Sequence, residues 1–80
     1  MTREEVFERL NEVFRDVFDA ETIKVKDTTT ADDIEDWDSL EHINLVVAVE
    51  KCFGIKFTMG EVTGMKNVGA MADIILERTK

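Results

Sequence analysis

Proline is absent from this chain of 80 residues, and neither an internal repeat nor a low-complexity linker divides it. Cysteine occurs once, so no internal disulfide can form and nothing points to an oxidising compartment. Cys52 lies beside Phe53 in an apolar segment and reads as a small packed hydrophobe. With a single histidine, His42, it cannot make a zinc shell. The glycines at 54, 60, 64 and 69 are scattered as helix ends and form no phosphate loop. No apolar run approaches the ~20 residues that span a bilayer. The start, Met1-Thr2-Arg3-Glu4-Glu5, is charged and unlike a secretory signal, so a soluble cytoplasmic protein is expected. Basic charge is scarce as well: ten Lys and Arg stand against eighteen Asp and Glu, a net charge of −8. That balance argues against nucleic acid, whose binding rests on phosphate neutralisation, and suits a protein that meets basic surfaces on its partners. No Lys or Arg falls between Lys26 and Lys51, where Asp27, Asp32, Asp33, Glu35, Asp36, Asp38, Glu41 and Glu50 all lie. The middle third is therefore the expected contact surface.

What is present is enough for one small domain over residues 1–80, with 44% apolar residues. A chain this short buries only about 60% of its unfolded surface, so its core is modest. Thr2 and Glu5 have capping-box spacing, and Val6, Leu10, Val13, Phe14 and Val17 follow the helical rhythm, predicting a first helix over 3–18. Periodicity is lost from Asp19 to Asp38; such a loop needs anchors, and Ile23, Val25, Ile34 and Trp37 are available. Thr30 with Asp33 predicts one short helical turn. A second helix begins at Asp38 or Ser39, with Asp38 and Glu41 in capping-box spacing, and stops at Gly54. Its body (Leu40, Ile43, Leu45, Val46, Val47, Val49, Phe53) is apolar around much of its circumference and is expected to touch neighbours on more than one side. The β-branched Val46, Val47 and Val49 make a strand the competing reading, but length and cap favour a helix. Ile55-Lys56-Phe57 alternates and is expected to run extended. Thr58 and Glu61 open a very short third helix near 59–63, and Asn67 caps a last helix over 68–79. The expectation is all-α: a small four-helix bundle, three helices long and one short, with a long loop between the first two.

Chemistry narrows quickly. A Ser39–His42 pair on one helix has no orienting acid and no oxyanion loop, which excludes a hydrolase. Read as a calcium loop from Asp27, the acidic stretch has Asp32 where glycine is required and Asp38 where glutamate is required. Ser39 remains. A serine at a helix start has an ordinary explanation as a cap, and a lone Asp-Ser-Leu triplet says little.

The residues around it say more. Asp36-Trp37-Asp38-Ser39-Leu40-Glu41-His42-Ile43-Asn44-Leu45 resembles the phosphopantetheine attachment motif of the acyl carrier protein family. The resemblance continues through Glu50-Lys51-Cys52-Phe53-Gly54-Ile55 to Asn67-Val68-Gly69 and so spans nearly the whole chain. It implies that Ser39 carries phosphopantetheine, derived from coenzyme A, with Asp38 and Leu40 as its motif neighbours. It also implies that the chain is no enzyme but a substrate of a phosphopantetheinyl transferase. The arm would then hold acyl intermediates as thioesters for fatty acid, polyketide or related lipid synthesis. The partners implied are acyl-loading ligases or synthases with basic docking patches, met by Asp36, Glu41, Asn44 and Glu50 of a monomer. Asn44 and Lys51 fall where carriers of bulk fatty acid synthesis usually show more acid, and Trp37 replaces a small residue; both departures imply a specialised, free-standing carrier. Two alternatives stay open: a peptidyl or D-alanyl carrier of the same fold, and an acidic interaction module in which Ser39 is only a cap.

Overall fold

The structure, a computed structural model, describes residues 1–79. Its helices are α1 (Arg3–Phe18), α2 (Ser39–Phe53), α3 (Met59–Gly64) and α4 (Val68–Arg78), with a short 3-10 turn, Ala31–Asp33, in the long first loop. All four helix starts are set by side-chain caps, that of α2 by Asp38. Thr2 and Glu5 form a reciprocal capping box at α1, and Thr58 and Glu61 form another at α3. Asn67 caps α4 by accepting from the N–H of Ala70 at 2.8 Å. Gly54 ends α2 with φ at +68°, a left-handed turn that a side chain would strain. The chain then runs through Ile55 and Phe57 without regular structure; both side chains are half-buried and packed on the core.

The core is built where α1 packs on α2 and α4. Val6, Leu10 and Phe14 of α1, Leu45 and Val49 of α2, and Val68, Met71, Ala72 and Ile75 of α4 are buried together with Val25 from the loop. Burial of this apolar surface, at about 25 cal/mol per Å², is what holds so small a bundle. The twenty-residue loop is fastened rather than free. Val25 donates its N–H to Asn11 Oδ1 (2.6 Å), and Ile23 offers its carbonyl to the Arg15 guanidinium (2.7 Å). Thr29, buried, accepts from the N–H of Lys26. Its carbonyl and that of Asp27 take the N–H groups of Val68 and Gly69, so the loop helps cap α4. A Cβ on Gly69 would stand 2.7 Å from the Asp27 carbonyl oxygen, which explains a glycine in the first turn of a helix. Arg3 completes the join, reaching Asp27 and Asp73.

One expectation is corrected and one is narrowed. Cys52 is exposed, not packed, because it falls on the outer side of α2 although its sequence neighbours are apolar. Nor is the whole apolar circumference of α2 covered: it meets α1, Trp37 of the loop and α3, as expected, but Leu40, Ile43 and Val47 stay 70%, 51% and 44% exposed. Spaced i, i+3 and i+7, they form one stripe that α1 and α4 leave bare.

Candidate functional site

The site is assembled at the start of α2. Asp38 caps the helix: its carboxylate accepts from the N–H of Glu41 (2.9 Å) and its carbonyl from that of His42 (2.8 Å). The expected box is only half made, since Glu41 turns its own carboxylate to the Asn44 amide at 3.3 Å. Ser39 is the first helical residue and is exposed, one step inside the cap. A helix start has spare backbone N–H groups and the positive end of the helix dipole, both suited to a phosphate. Asp36, two residues before the cap, holds φ at +72° and offers its carbonyl to the N–H of Asp38 (3.0 Å). Aspartate is among the few residues that visit this region readily. The turn delivers the chain sharply into α2, and Asp36 itself is exposed.

The named residues do not all share one face. Leu40 and Asn44 are exposed beside Ser39 on the bare side of α2, with Glu41 next to them and half-buried. Glu50, half-buried like Glu41, lies about two and a half turns beyond it and opposite to it on the helix, close to the angular position of Ser39 and Ile43. Its carboxylate accepts from the N–H of Phe57 at 2.8 Å and so pins the segment after Gly54.

Trp37 and His42 supply geometry that spacing alone does not announce. The Trp37 indole packs edge-on against the Phe14 ring of α1 (5.3 Å, 80°) and beside Phe18 (6.1 Å). It stacks on His42 at 5.9 Å and donates its Nε1–H to His42 Nδ1 at 3.1 Å. That donor fixes the tautomer that carries its proton on Nε2, which donates to the Val62 carbonyl in α3 at 3.0 Å. Both ring nitrogens are thus committed, and neither serves Ser39 as a base. Glu61, next to Val62, holds α3 in place. Its carboxylate pairs with Arg78 at 2.6 Å and accepts from the N–H of Thr58, and these bonds, Arg78's first, keep it below the ordinary carboxylate range. Sequence reasoning found Trp37 as a loop anchor but missed its bond to His42; the partner on α3 lies twenty residues away and leaves no local signal.

Beside Ser39 opens a groove of about 500 Å³. Asp38 and Ser39 border it, and Trp37, His42, Ile43, Val62, Met65 and Met71 contribute to its lining. A phosphate ester on an exposed helix-start hydroxyl, followed by a flexible arm with an apolar trough at its root, fits these residues. Among the described residues no three acidic, histidine or cysteine side chains stand together as a metal site.

Comparison with known proteins agrees with this geometry. Residues 8–75 match the family described as the phosphopantetheine attachment site. The acyl carrier protein of Acidothermus cellulolyticus is 33% identical over 79 residues, covering 99% of this chain and 94% of that protein. That of Petrotoga mobilis is 32% identical over 79 residues, covering 98% and 92%. The solution NMR structure of holo acyl carrier protein from Geobacter metallireducens superimposes with a TM-score of 0.84 at 43% identity, covering 90% of this chain and 83% of that one.

Proposed function

Since this chain belongs to the acyl carrier protein family, a carrier with covalent phosphopantetheine rather than an enzyme, we propose that Ser39 is the residue that bears the arm. The observation that carries this is the position of its hydroxyl: exposed at the first turn of α2, inside Asp-Ser-Leu, at the edge of the groove. The group supplies a terminal thiol that holds acyl chains as thioesters. The protein's own residues present and orient it. Asp38 fixes the helix start, Leu40 stands exposed beside the attachment point, and the Asp36 turn keeps the approach open.

A carrier has to meet a phosphopantetheinyl transferase and the ligases or synthases that load and unload it. We place that contact on the bare side of α2, where Leu40, Ile43 and Val47 give apolar area and Glu41, Asn44 and Asp36 give polar and acidic borders. Glu50 is left out because its carboxylate is used inside the fold. Among the described residues no helix is long and apolar enough to cross a membrane. A monomer acting in the cytoplasm as one domain is the reading that the small shared core and the free Cys52 support.

The test is an intact-protein mass before and after incubation with coenzyme A and a broad-specificity phosphopantetheinyl transferase. One added phosphopantetheine is expected on the parent and none on Ser39→Ala. An arm still gained by Ser39→Ala refutes the assignment.

A further inference from the structure

The turn into α2 collects negative charge. Asp38 places its carboxylate on the Glu41 N–H, so an anion already occupies part of the helix start. Asp36 and Glu41 flank it in sequence. A phosphodiester on Ser39 adds one more negative charge beside Asp38, and like charges this close raise each other's energy. The helix dipole answers with only about half a unit of positive charge. A cation from another element is what this end of the molecule needs, and one lines the groove.

Lys66, in the connection between α3 and α4, lines the same groove as Asp38 and Ser39. Among the described residues it is the only lysine or arginine that does so. It is exposed, and it enters none of the ion pairs found among those residues, which belong to Arg3 and Arg78. The backbone beside it cannot take its place. The N–H groups of Val68 and Gly69 go to the carbonyls of Thr29 and Asp27, and that of Ala70 goes to Asn67 Oδ1. The start of α4 is thus used within the fold. His42 adds no donor, since both its ring nitrogens are committed. The Lys66 ammonium, on its flexible stem, is what remains for an anion in the groove.

Resting on the reading of Ser39 as the attachment residue, we propose that Lys66 is the counter-ion of the arm's phosphodiester, a positioning residue that draws the root of the arm toward the junction of α3 and α4. The non-bridging oxygens of the phosphodiester accept from the ammonium, a charge-assisted hydrogen bond. An exposed pair of this kind is weak, so it biases the direction in which the arm leaves Ser39 without locking it.

Once the arm is attached, its phosphodiester is the only phosphorus in the chain, so phosphorus NMR in a phosphate-free buffer reads that group alone. The holo parent is compared with holo Lys66→Gln and holo Lys66→Arg at neutral pH. In dilute salt the parent signal is expected to stand apart from that of Lys66→Gln. It should move toward the Lys66→Gln position as NaCl rises from about 0.01 M to about 1 M and the Debye length falls from about 30 Å to about 3 Å. Lys66→Arg, which keeps a cation able to bind phosphate, should retain the parent's displacement. Melting temperature supplies a second reading. Lys66→Gln should match the parent in the apo form and melt about 2–4 °C below it in the holo form, at low salt. Coincident phosphorus signals for parent and Lys66→Gln, a Lys66→Arg signal that follows Lys66→Gln, or the same melting gap in apo and holo forms overturns the proposal alone. A protein that accepts no arm at all overturns the Ser39 reading and the proposal with it.

Discussion

Ser39→Ala removes a hydroxyl that makes no hydrogen bond among the described residues, since the N–H of Glu41 is taken by the carboxylate of Asp38. A serine that served only as a helix cap would cost about 1 kcal/mol on replacement by alanine. Here that cost belongs to the neighbour. Asp38→Ala is expected to lower stability by about 1 kcal/mol, and Ser39→Ala to stay within about 0.5 kcal/mol of the parent, both read by urea denaturation. The reading of Ser39 as a mere cap thereby loses its physical basis, because another side chain already does the capping. A measured loss of 1 kcal/mol or so in Ser39→Ala would restore it.

At the scale of the element, α3 shows how a six-residue helix is kept in place beside the groove. Too short to persist alone, it is tied at Glu61 to Arg78 of α4 and at Val62 to His42 of α2. Glu61 has its folded pKa lowered, so its contribution is present above the unfolded value, near 4.5, and is lost as pH falls through the folded one. Glu61→Gln should therefore melt below the parent at pH 7, and the gap should close as pH falls from about 5 toward 3. Melting curves across that range check it; a gap independent of pH would mean that the Arg78 pairing contributes nothing. The presence of α3 was legible in the sequence, because Thr58 and Glu61 form a capping box from neighbouring residues. The same holds for α1, through Thr2 and Glu5, and for the start of α2 at Asp38. Which side of α2 would stay bare was not legible, since Leu40, Ile43 and Val47 are as apolar as Leu45, Val46 and Val49. Only the placement of α1 and α4 separates the two sets. The same limit hid the two bonds of His42 and the internal use of Glu50, which depend on where α3 and Phe57 settle.

For the molecule as a whole, charge and apolar surface meet at one place. Three of the ten basic residues are engaged within the chain: Arg3 with Asp27 and Asp73, Arg15 with the Ile23 carbonyl, and Arg78 with Glu61. None of them offsets the acidic border of the attachment site, so a partner with a basic patch is drawn to that side. The bare apolar stripe then adds contact that salt does not screen. The two contributions separate by ionic strength, because the Debye length shrinks from about 10 Å at 0.1 M to about 3 Å at 1 M. With arm transfer followed as kcat/KM, the parent should slow steadily as salt rises. Glu41→Lys should start lower and respond more weakly to salt. Leu40→Ala should be slower at every salt concentration while keeping the parent's slope. If the parent's rate ignored salt, the acidic border would have no part in docking. If Leu40→Ala matched the parent throughout, the stripe would have none, and exposed apolar area on α2 would need a different occupant.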